Sequence, residues 1–122
     1  MKRFLILFFG MFLTFNIFAQ TSYKKIETTL ENAADVVRSL TTPAELEVSG
    51  VMMPLSKSDF GDLVSEIRTQ ETSIKLNLAK VEGLKEIESK TFKNCKNLIS
   101  VILPDSVTEI GYDAFSSCSN LA

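Results

Sequence analysis

The sequence predicts an α/β solenoid, in which parallel strands lie on successive turns and an α/β cap precedes them. Two observations support this prediction. Residues 84–122 repeat themselves with a period of 23, and the residues before them alternate between helix and strand patterns. A unit of roughly 20 to 50 residues that recurs at a fixed spacing is typical of arrays in which each unit packs on its neighbour.

Pairs of identical residues at one offset define the repeat. These pairs are Ile87 and Ile110, Phe92 and Phe115, Cys95 and Cys118, Asn97 and Asn120, and Leu98 and Leu121. The offset is 23 in every pair. We expect the apolar positions of the repeat to form its core, and they are Ile87, Phe92, Cys95, Leu98, Val101, Leu103, Val107, Ile110, Phe115, Cys118 and Leu121.

A strict apolar alternation precedes the repeat. Residues 74–78 read IKLNL, and three of them match later apolar residues at an offset of 25, namely Ile74 with Ile99, Leu76 with Val101 and Leu78 with Leu103. Alternation of this kind predicts a strand with one buried face. Residues 74–78 are therefore predicted to be a strand of the same sheet.

Residues 98–121 read LISVILPDSVTEIGYDAFSSCSNL, which resembles the BspA-type leucine-rich repeat of surface proteins from host-associated bacteria. The matching residues are Leu98, Val101, Leu103, Pro104, Asp105, Ser106, Val107, Ile110, Gly111, Ala114, Phe115, Cys118 and Leu121. The preceding unit departs from the family pattern at Glu88, where the family has glycine, and at Thr91, where it has alanine. The resemblance covers residues 74–122 and implies exposure at the cell surface and adhesion to host proteins.

The residues between the leader and the repeats are predicted to form the N-terminal cap. Residues 20–30 are polar without a clear period and are expected to be a loosely ordered leader. Residues 31–73 then read as helix (31–40), strand (44–48) and helix (57–69), and each helix carries an apolar stripe along one face. With the strand at 74–78 they make a strand–helix–strand unit, whose connection is expected to be right-handed. The repeats that follow, at 74–122, are incomplete at their C-terminal end.

Residues 1–19 have the layout of a secretory signal peptide, with Lys2 and Arg3 before an apolar run and Ala19 before the expected cut. An uncleaved membrane anchor is the alternative. Removal of the signal peptide leaves 11 of the 13 basic residues against 15 acidic ones, so the net charge of the remaining chain is −4. A net acidic chain does not favour nucleic acid. We therefore expect an exported protein, at the cell surface or secreted, that binds no nucleic acid and keeps no stable membrane span.

The two cysteines lie at matched repeat positions, so two interpretations remain open. Cys95 and Cys118 are either small buried apolar residues in adjacent turns or a disulfide, because equivalent positions of stacked turns lie roughly 5 Å apart. Two cysteines without a histidine or a CxxC spacing do not favour a metal site.

The chain offers little for catalysis. It contains no histidine, which is the commonest general base, and none of the usual phosphate-binding or nucleophile motifs. We predict no enzyme activity, no catalytic residue, no cofactor and no metal. The remaining candidate is the outward face of the predicted strands, and the expected protein-binding residues there are Lys75, Asn77, Ala79, Ser100 and Ile102, with Glu45 and Glu47 on the cap.

Two functions follow from these observations. In the first, the chain is an exported repeat protein that binds another protein, with host adhesion as the specific form. In the alternative, it is the N-terminal fragment of a longer repeat protein without an independent function. The uncapped C-terminal turn also predicts end-to-end self-association.

Overall fold

A computed structural model describes residues 22–53 and 56–122. Its helices are α1 (Leu30–Arg38) and α2 (Ser56–Thr69), and its strands are β1 (Lys24–Thr29), β2 (Ala44–Val51), β3 (Ile74–Glu82), β4 (Glu86–Ile87), β5 (Leu98–Ile102) and β6 (Glu109–Ile110). The signal peptide predicted at residues 1–19 lies outside the described residues.

One four-stranded sheet organises the fold. Its strand order is β1-β2-β3-β5, and every neighbouring pair is parallel. Strands β4 and β6 form a separate parallel pair. Parallel neighbours need a crossover connection, so each segment between consecutive strands returns the chain to the same end of the sheet.

The two helices supply the first two crossovers, and their apolar stripes face the sheet as predicted. The buried residues are Leu30, Ala33, Ala34 and Val37 of α1, and Phe60, Leu63, Val64 and Ile67 of α2. All of them except Ala34 belong to one continuous core with inner residues of β2 and β3. Each fully buried aliphatic side chain contributes roughly 1.5–3 kcal/mol. In the ranges 22–53 and 56–122, no helix is long and apolar enough to cross a membrane.

The expectation of a loosely ordered leader at residues 20–30 is wrong for Lys24–Thr29, which forms β1 at one edge of the sheet. This strand pairs with β2 through its backbone, beginning with a bond from Lys24 N–H to Pro43 O of 3.2 Å. An edge strand pairs on one side only and needs few apolar residues. Only Ile26 of β1 packs against the core, so the apolar pattern could not reveal it.

The crossover from β3 to β5 contains short turns where the earlier crossovers contain helices. The next turn of the chain stacks on it by backbone hydrogen bonds. Three of these bonds run from Lys90 N–H to Tyr112 O, from Phe92 N–H to Ala114 O and from Asn94 N–H to Ser116 O, at 3.1, 2.7 and 2.9 Å. Strand β4 pairs with β6 at the predicted offset of 23, with Ile87 opposite Ile110.

The pairing of β3 with β5 confirms the predicted offset of 25 for part of the strand only. Leu76 lies opposite Val101, as expected, but Ile74 lies opposite Leu98 and not Ile99, because the register shifts between Ile74 and Lys75. A bulge of this kind inserts one residue into one strand. Counting residues between matched apolar positions cannot detect it.

The predicted repeat core divides into two groups. Ile87, Phe92, Cys95 and Leu98 are buried, whereas Val101, Leu103, Val107, Phe115, Cys118 and Leu121 are partly buried and pack against the first group. Ile110 is 55% exposed, so its assignment to the core is wrong. It covers the buried Ile87 on one side, and no turn among the described residues covers its other side.

Candidate functional site

The two faces of the sheet differ because side chains alternate along a strand. In β2 and β3 the inner residues are buried and the residues between them are partly exposed. The register places the outward residues in two rows across the strands, the first with Lys25, Glu45, Lys75 and Ser100 and the second with Glu27, Glu47, Asn77 and Ile102. We call these two rows, with Ala79, the outer face.

All seven residues that the sequence nominated for binding lie on the outer face, and two of them, Glu45 and Glu47, come from β2. Lys75, Asn77 and Ala79 come from β3, and Ser100 and Ile102 come from β5. Asn77 Oδ1 accepts a hydrogen bond of 2.9 Å from the backbone N–H of Ala79, which orients the amide. The pairing of β3 with β5 brings the residues of these two strands onto one surface. This placement does not by itself make them a binding site.

Three charged side chains on the N-terminal part of the outer face have partners within the chain, namely Lys25, Glu47 and Lys75. Glu47 Oε1 lies 3.8 Å from Lys25 Nζ and 3.5 Å from Lys80 Nζ, and its side chain is only 12% exposed. Lys75 Nζ lies 4.3 Å from the centre of the Tyr23 ring, within the range of a cation–π contact. The ion pairs of Glu47 offset part of the charge on this part of the face, whereas the cation–π contact leaves the charge of Lys75 unchanged.

The β5 end of the outer face is uncharged. Ser100 and Ile102 replace the charged residues of the other strands, and Ile102 is 49% exposed. Asn77 and Ala79 adjoin them on β3. Uncharged, partly apolar surface can be desolvated by a partner at lower cost than charged surface, so this end is better suited to contact than the charged end.

The cysteines are structural in this arrangement. Cys95 is buried, Cys118 is half-buried, and both are free thiols. Burial raises the pKa of Cys95 to about 11, with a smaller contribution of the same sign from Cys118 and an opposing one from Arg68. The Cys118 thiol donates to Phe92 O at 2.9 Å. A thiol with a raised pKa is a poor nucleophile.

The matched phenylalanines stack as the repeat predicts. The rings of Phe92 and Phe115 lie 5.2 Å apart at an angle of 4°. The Phe60 ring of α2 meets the other side of Phe92 edge-on, at 6.1 Å and 87°. Phe92 therefore joins the helical part of the chain to the short turns.

Polar side chains also tie neighbouring turns together, and the sequence analysis missed their roles. Asn97 Nδ2 donates to Thr72 O at 3.0 Å, and Asn120 Nδ2 donates to Lys96 O at 2.6 Å. Ser106 Oγ donates to Leu84 O at 2.6 Å. The identity of Asn97 and Asn120 at matched positions was the available signal, because the same residue at the same place in two turns can make the same bond.

Arg68 is a further residue whose role the sequence did not indicate. Its Nε donates to Lys93 O at 3.0 Å and its Nη2 donates to Thr91 O at 2.7 Å. It thereby fastens the end of α2 to the first short turn. No sequence pattern indicated this contact, since its acceptors are backbone carbonyls of another segment.

No group of three or more histidine, cysteine, aspartate or glutamate side chains within residues 22–53 and 56–122 could hold a metal ion.

Comparison with known proteins places the C-terminal part in a family. The model of the BspA-type leucine-rich repeat region matches residues 64–122, beginning within α2 and covering β3 to β6. No curated protein and no solved structure matches the chain significantly. Strands β3 to β6 and the stacked, matched residues described above lie within the range of the family match, whereas β1 and β2 precede it. Residues 64–122 of this chain are a leucine-rich repeat region of the BspA type.

Proposed function

We propose that this chain is an exported protein that binds another protein through its outer face, with adhesion to a host protein as the specific form. Leucine-rich repeat regions are in general interaction modules without enzymatic activity, and extended repeat surfaces commonly bind proteins. The observation that carries the proposal is the uncharged β5 end of the outer face, where Ile102 is 49% exposed beside Ser100 and Asn77.

The binding proposal can be tested with a pair of matched variants. Residues 20–122 would be passed over immobilised host matrix proteins, and Ile102→Asp would be compared with Ile110→Asp. Both isoleucines are about half exposed, so both variants should fold, but only Ile102 lies on the outer face. We expect Ile102→Asp alone to abolish saturable binding. Absence of binding to every matrix protein would exclude host adhesion.

Export is supported by residues 1–19, which have a basic start, an apolar run and a small residue before Gln20. Expression of residues 1–122 in a bacterium with a Sec pathway should release a product that begins at Gln20. N-terminal sequencing of the exported fraction measures this. A product that keeps Met1 and remains with the membrane would favour the uncleaved anchor.

We further propose that the chain coils as a solenoid and that residues 31–73 cap its N-terminal end. The support is the parallel order of β2, β3 and β5 together with the packing of α2 on Phe92. Deleting residues 20–73 should leave the apolar residues of β3 without cover. We expect the shortened chain to lose its cooperative thermal transition, and a well-folded residue 74–122 fragment would argue against a cap.

A second candidate is that the chain is part of a longer repeat array, and one observation favours it. Val101, Leu103, Phe115, Leu121 and Ala122 line an open cavity of about 190 Å³ on the last turn. The backbone N–H of Ala122 already donates to Ile99 O at 3.0 Å, as a following strand would. Genomic DNA downstream of codon 122 should then continue the repeat in register, and a stop codon there would exclude this candidate.

The same open face supports end-to-end self-association of residues 20–122. Half-buried apolar side chains at the end of an array favour association because burying them removes apolar area from water. Sedimentation velocity over a range of concentrations should show a rising sedimentation coefficient. Leu121→Asp, which places a charge in the cavity, should keep the chain monomeric, and concentration-independent sedimentation of the unchanged chain would contradict the proposal.

A further inference from the structure

A concave surface separate from the outer face lies on the helical side of the molecule. It is a cavity of about 320 Å³ between α2 and the first short turn, and its lining includes Met52, Phe60, Gly61, Val64, Arg68 and Leu84. We call it the α2 groove. Its volume is at the lower end of the range for small-ligand pockets, which suits one large side chain and not a cofactor.

The groove arises where a helical crossover gives way to a short one. Helix α2 has 14 residues, whereas the crossover that follows β3 contains no helix among its residues, 83–97. A helix with its side chains is about 10–12 Å thick, so the helix stands above the neighbouring turn. Phe60, Val64 and Leu84 form the floor of this step and are 8%, 3% and 5% exposed.

Gly61 is the unexplained residue of the groove. It lies in the interior of α2, where glycine is less favourable than any residue but proline. A Cβ built at this position meets no heavy atom within 4 Å, so packing within the described chain does not require glycine. Since residue 61 lines the groove, a larger side chain there would occupy it. Glycine at position 61 therefore keeps the groove open, although it makes α2 less stable.

The two ends of the groove differ in charge. At one end Lys57 Nζ lies 3.0 Å from Glu88 Oε2, and this hydrogen bond raises the pKa of Lys57, with a smaller contribution from the nearby Glu86. The acidic side chains of the groove thus lie near Lys57. Arg68 lies about three turns further along α2 and bonds to Thr91 O, next to Lys90. This end of the groove is therefore cationic, on a chain whose described residues are net acidic.

Arg68 is oriented to receive an anion. Its Nε and Nη2 bond to the carbonyls of Lys93 and Thr91, which hold the guanidinium in one place. A guanidinium has five N–H donors, so further donors remain after these two bonds. A guanidinium that is already oriented loses less entropy when it binds a carboxylate.

We propose that the α2 groove binds an extended segment of a partner protein that presents one large apolar side chain next to an aspartate or glutamate. The apolar side chain occupies the space over Gly61, between Phe60 and Leu84. The carboxylate pairs with Arg68 and Lys90. This inference rests on the proposed protein-binding function but assigns a separate surface to it.

The proposal can be tested by selecting peptides that bind the protein and then measuring their affinity for variants of the groove. A random peptide library displayed on phage is selected against residues 20–122, and the enriched peptide is synthesised with a fluorescent label for anisotropy titration. Enriched peptides should carry an apolar residue beside an acidic one. Replacing that apolar residue by alanine, or the acidic one by lysine, should each raise the Kd at least about tenfold.

The decisive variant is Gly61→Leu, which fills the groove and replaces glycine by a strong helix former, so the protein should be no less stable. Thr69→Leu is the matched control, since Thr69 is an exposed residue of α2 outside the groove. Gly61→Leu should raise the Kd at least about tenfold and Thr69→Leu should leave it unchanged. Lys90→Glu should weaken binding and reduce its dependence on salt.

Several results would overturn the proposal. They are selection without an enriched apolar–acidic pattern, a Kd unaffected by Gly61→Leu, and binding that is lost with Ile102→Asp but kept with Gly61→Leu. The last result would place the peptide on the outer face. It would contradict the groove proposal and leave the outer-face proposal standing. Equal loss with Gly61→Leu and Thr69→Leu would also contradict the groove proposal.

Discussion

The two halves of the sheet are connected in different ways. From β1 to β3 the chain crosses over through helices, whereas after β3 it crosses over through short turns. A helix satisfies most of its backbone hydrogen bonds internally. The short turns cannot do so, and the N–H groups of Lys90, Phe92 and Asn94 bond to carbonyls of the next turn.

This difference predicts different kinds of stability. A helical crossover keeps its hydrogen bonds when a neighbour is removed and loses only apolar contacts. A short turn that loses its neighbour leaves backbone groups without partners, which is costly where they are buried. The first short turn therefore depends on the second for hydrogen bonds and on α2 for the packing of Phe92.

The largest expected effect comes from the residue that joins the halves. Phe92 is fully buried and contacts Phe60 on one side and Phe115 on the other. Phe92→Ala should lower the free energy of unfolding by roughly 3–5 kcal/mol, close to the whole stability of a small domain. Urea denaturation measures this. Phe115→Ala is the control and should cost less, because Phe115 is only partly buried.

Two glycine substitutions, one in each half, should change the free energy of unfolding in opposite directions. A Cβ at Gly111 would lie 2.5 Å from Ser89 N and 2.8 Å from Ser89 Cα, so Gly111→Ala must push the stacked turns apart. We expect a loss of about 1–3 kcal/mol. Gly61→Ala in the open part of α2 should instead gain about 0.5–1 kcal/mol. Equal changes in the two thermal melts would contradict the comparison.

The cysteines give a pH-dependent test of the short turns. Burial raises the pKa of Cys95 from 9.0 to about 11, so the folded state keeps its proton where the unfolded state loses it. The free energy of unfolding therefore falls as pH rises. The stabilisation that Cys95 contributes is complete below pH 9.0 and is lost between pH 9.0 and about 11. Urea denaturation at several pH values should show this loss, and Cys95→Ala should remove it.

The smallest expected effect is an ion pair between the two helices. Arg38 Nη2 lies 2.8 Å from Glu66 Oε2, and its hydrogen bonds to Glu66 and then Asp35 raise the pKa of Arg38. Because Arg38 is exposed, salt should screen these contacts. Arg38→Gln should lower the urea midpoint slightly in low salt and not in high salt. Lys24→Gln, an equal change of charge on β1, should not show this salt dependence.

The predictions from the sequence were most accurate where burial imposes a period. The stripe of α2 from Phe60 to Ile67 and the alternation of Ile74, Leu76 and Leu78 follow directly from which side chains must leave water. The stacking of Phe92 on Phe115 follows from a repeat at one offset. These features are local patterns, so they can be read along the chain.

Prediction from the sequence was weakest at the edge strand β1, at the outermost strand β6 and in the groove. Strand β1 carries one residue that packs on the core, Ile26, so apolar alternation could not distinguish it from a leader. Ile110 has the same repeat position as Ile87, but Ile87 is fully buried and Ile110 is 55% exposed. A side chain's position in a repeat determines where it points, and not whether something covers it.

The sequence by itself determined the repeat, the helical stripes and the alternating strands, because those depend on the spacing of apolar residues. Only the tertiary structure decided the register shift between β3 and β5, the anchoring of Arg68 to Thr91 and the open space over Gly61. Each of these depends on distances between segments that are far apart in the chain. Such distances are set by how a helix and a short turn of different thickness pack on one sheet, which residue spacing does not encode.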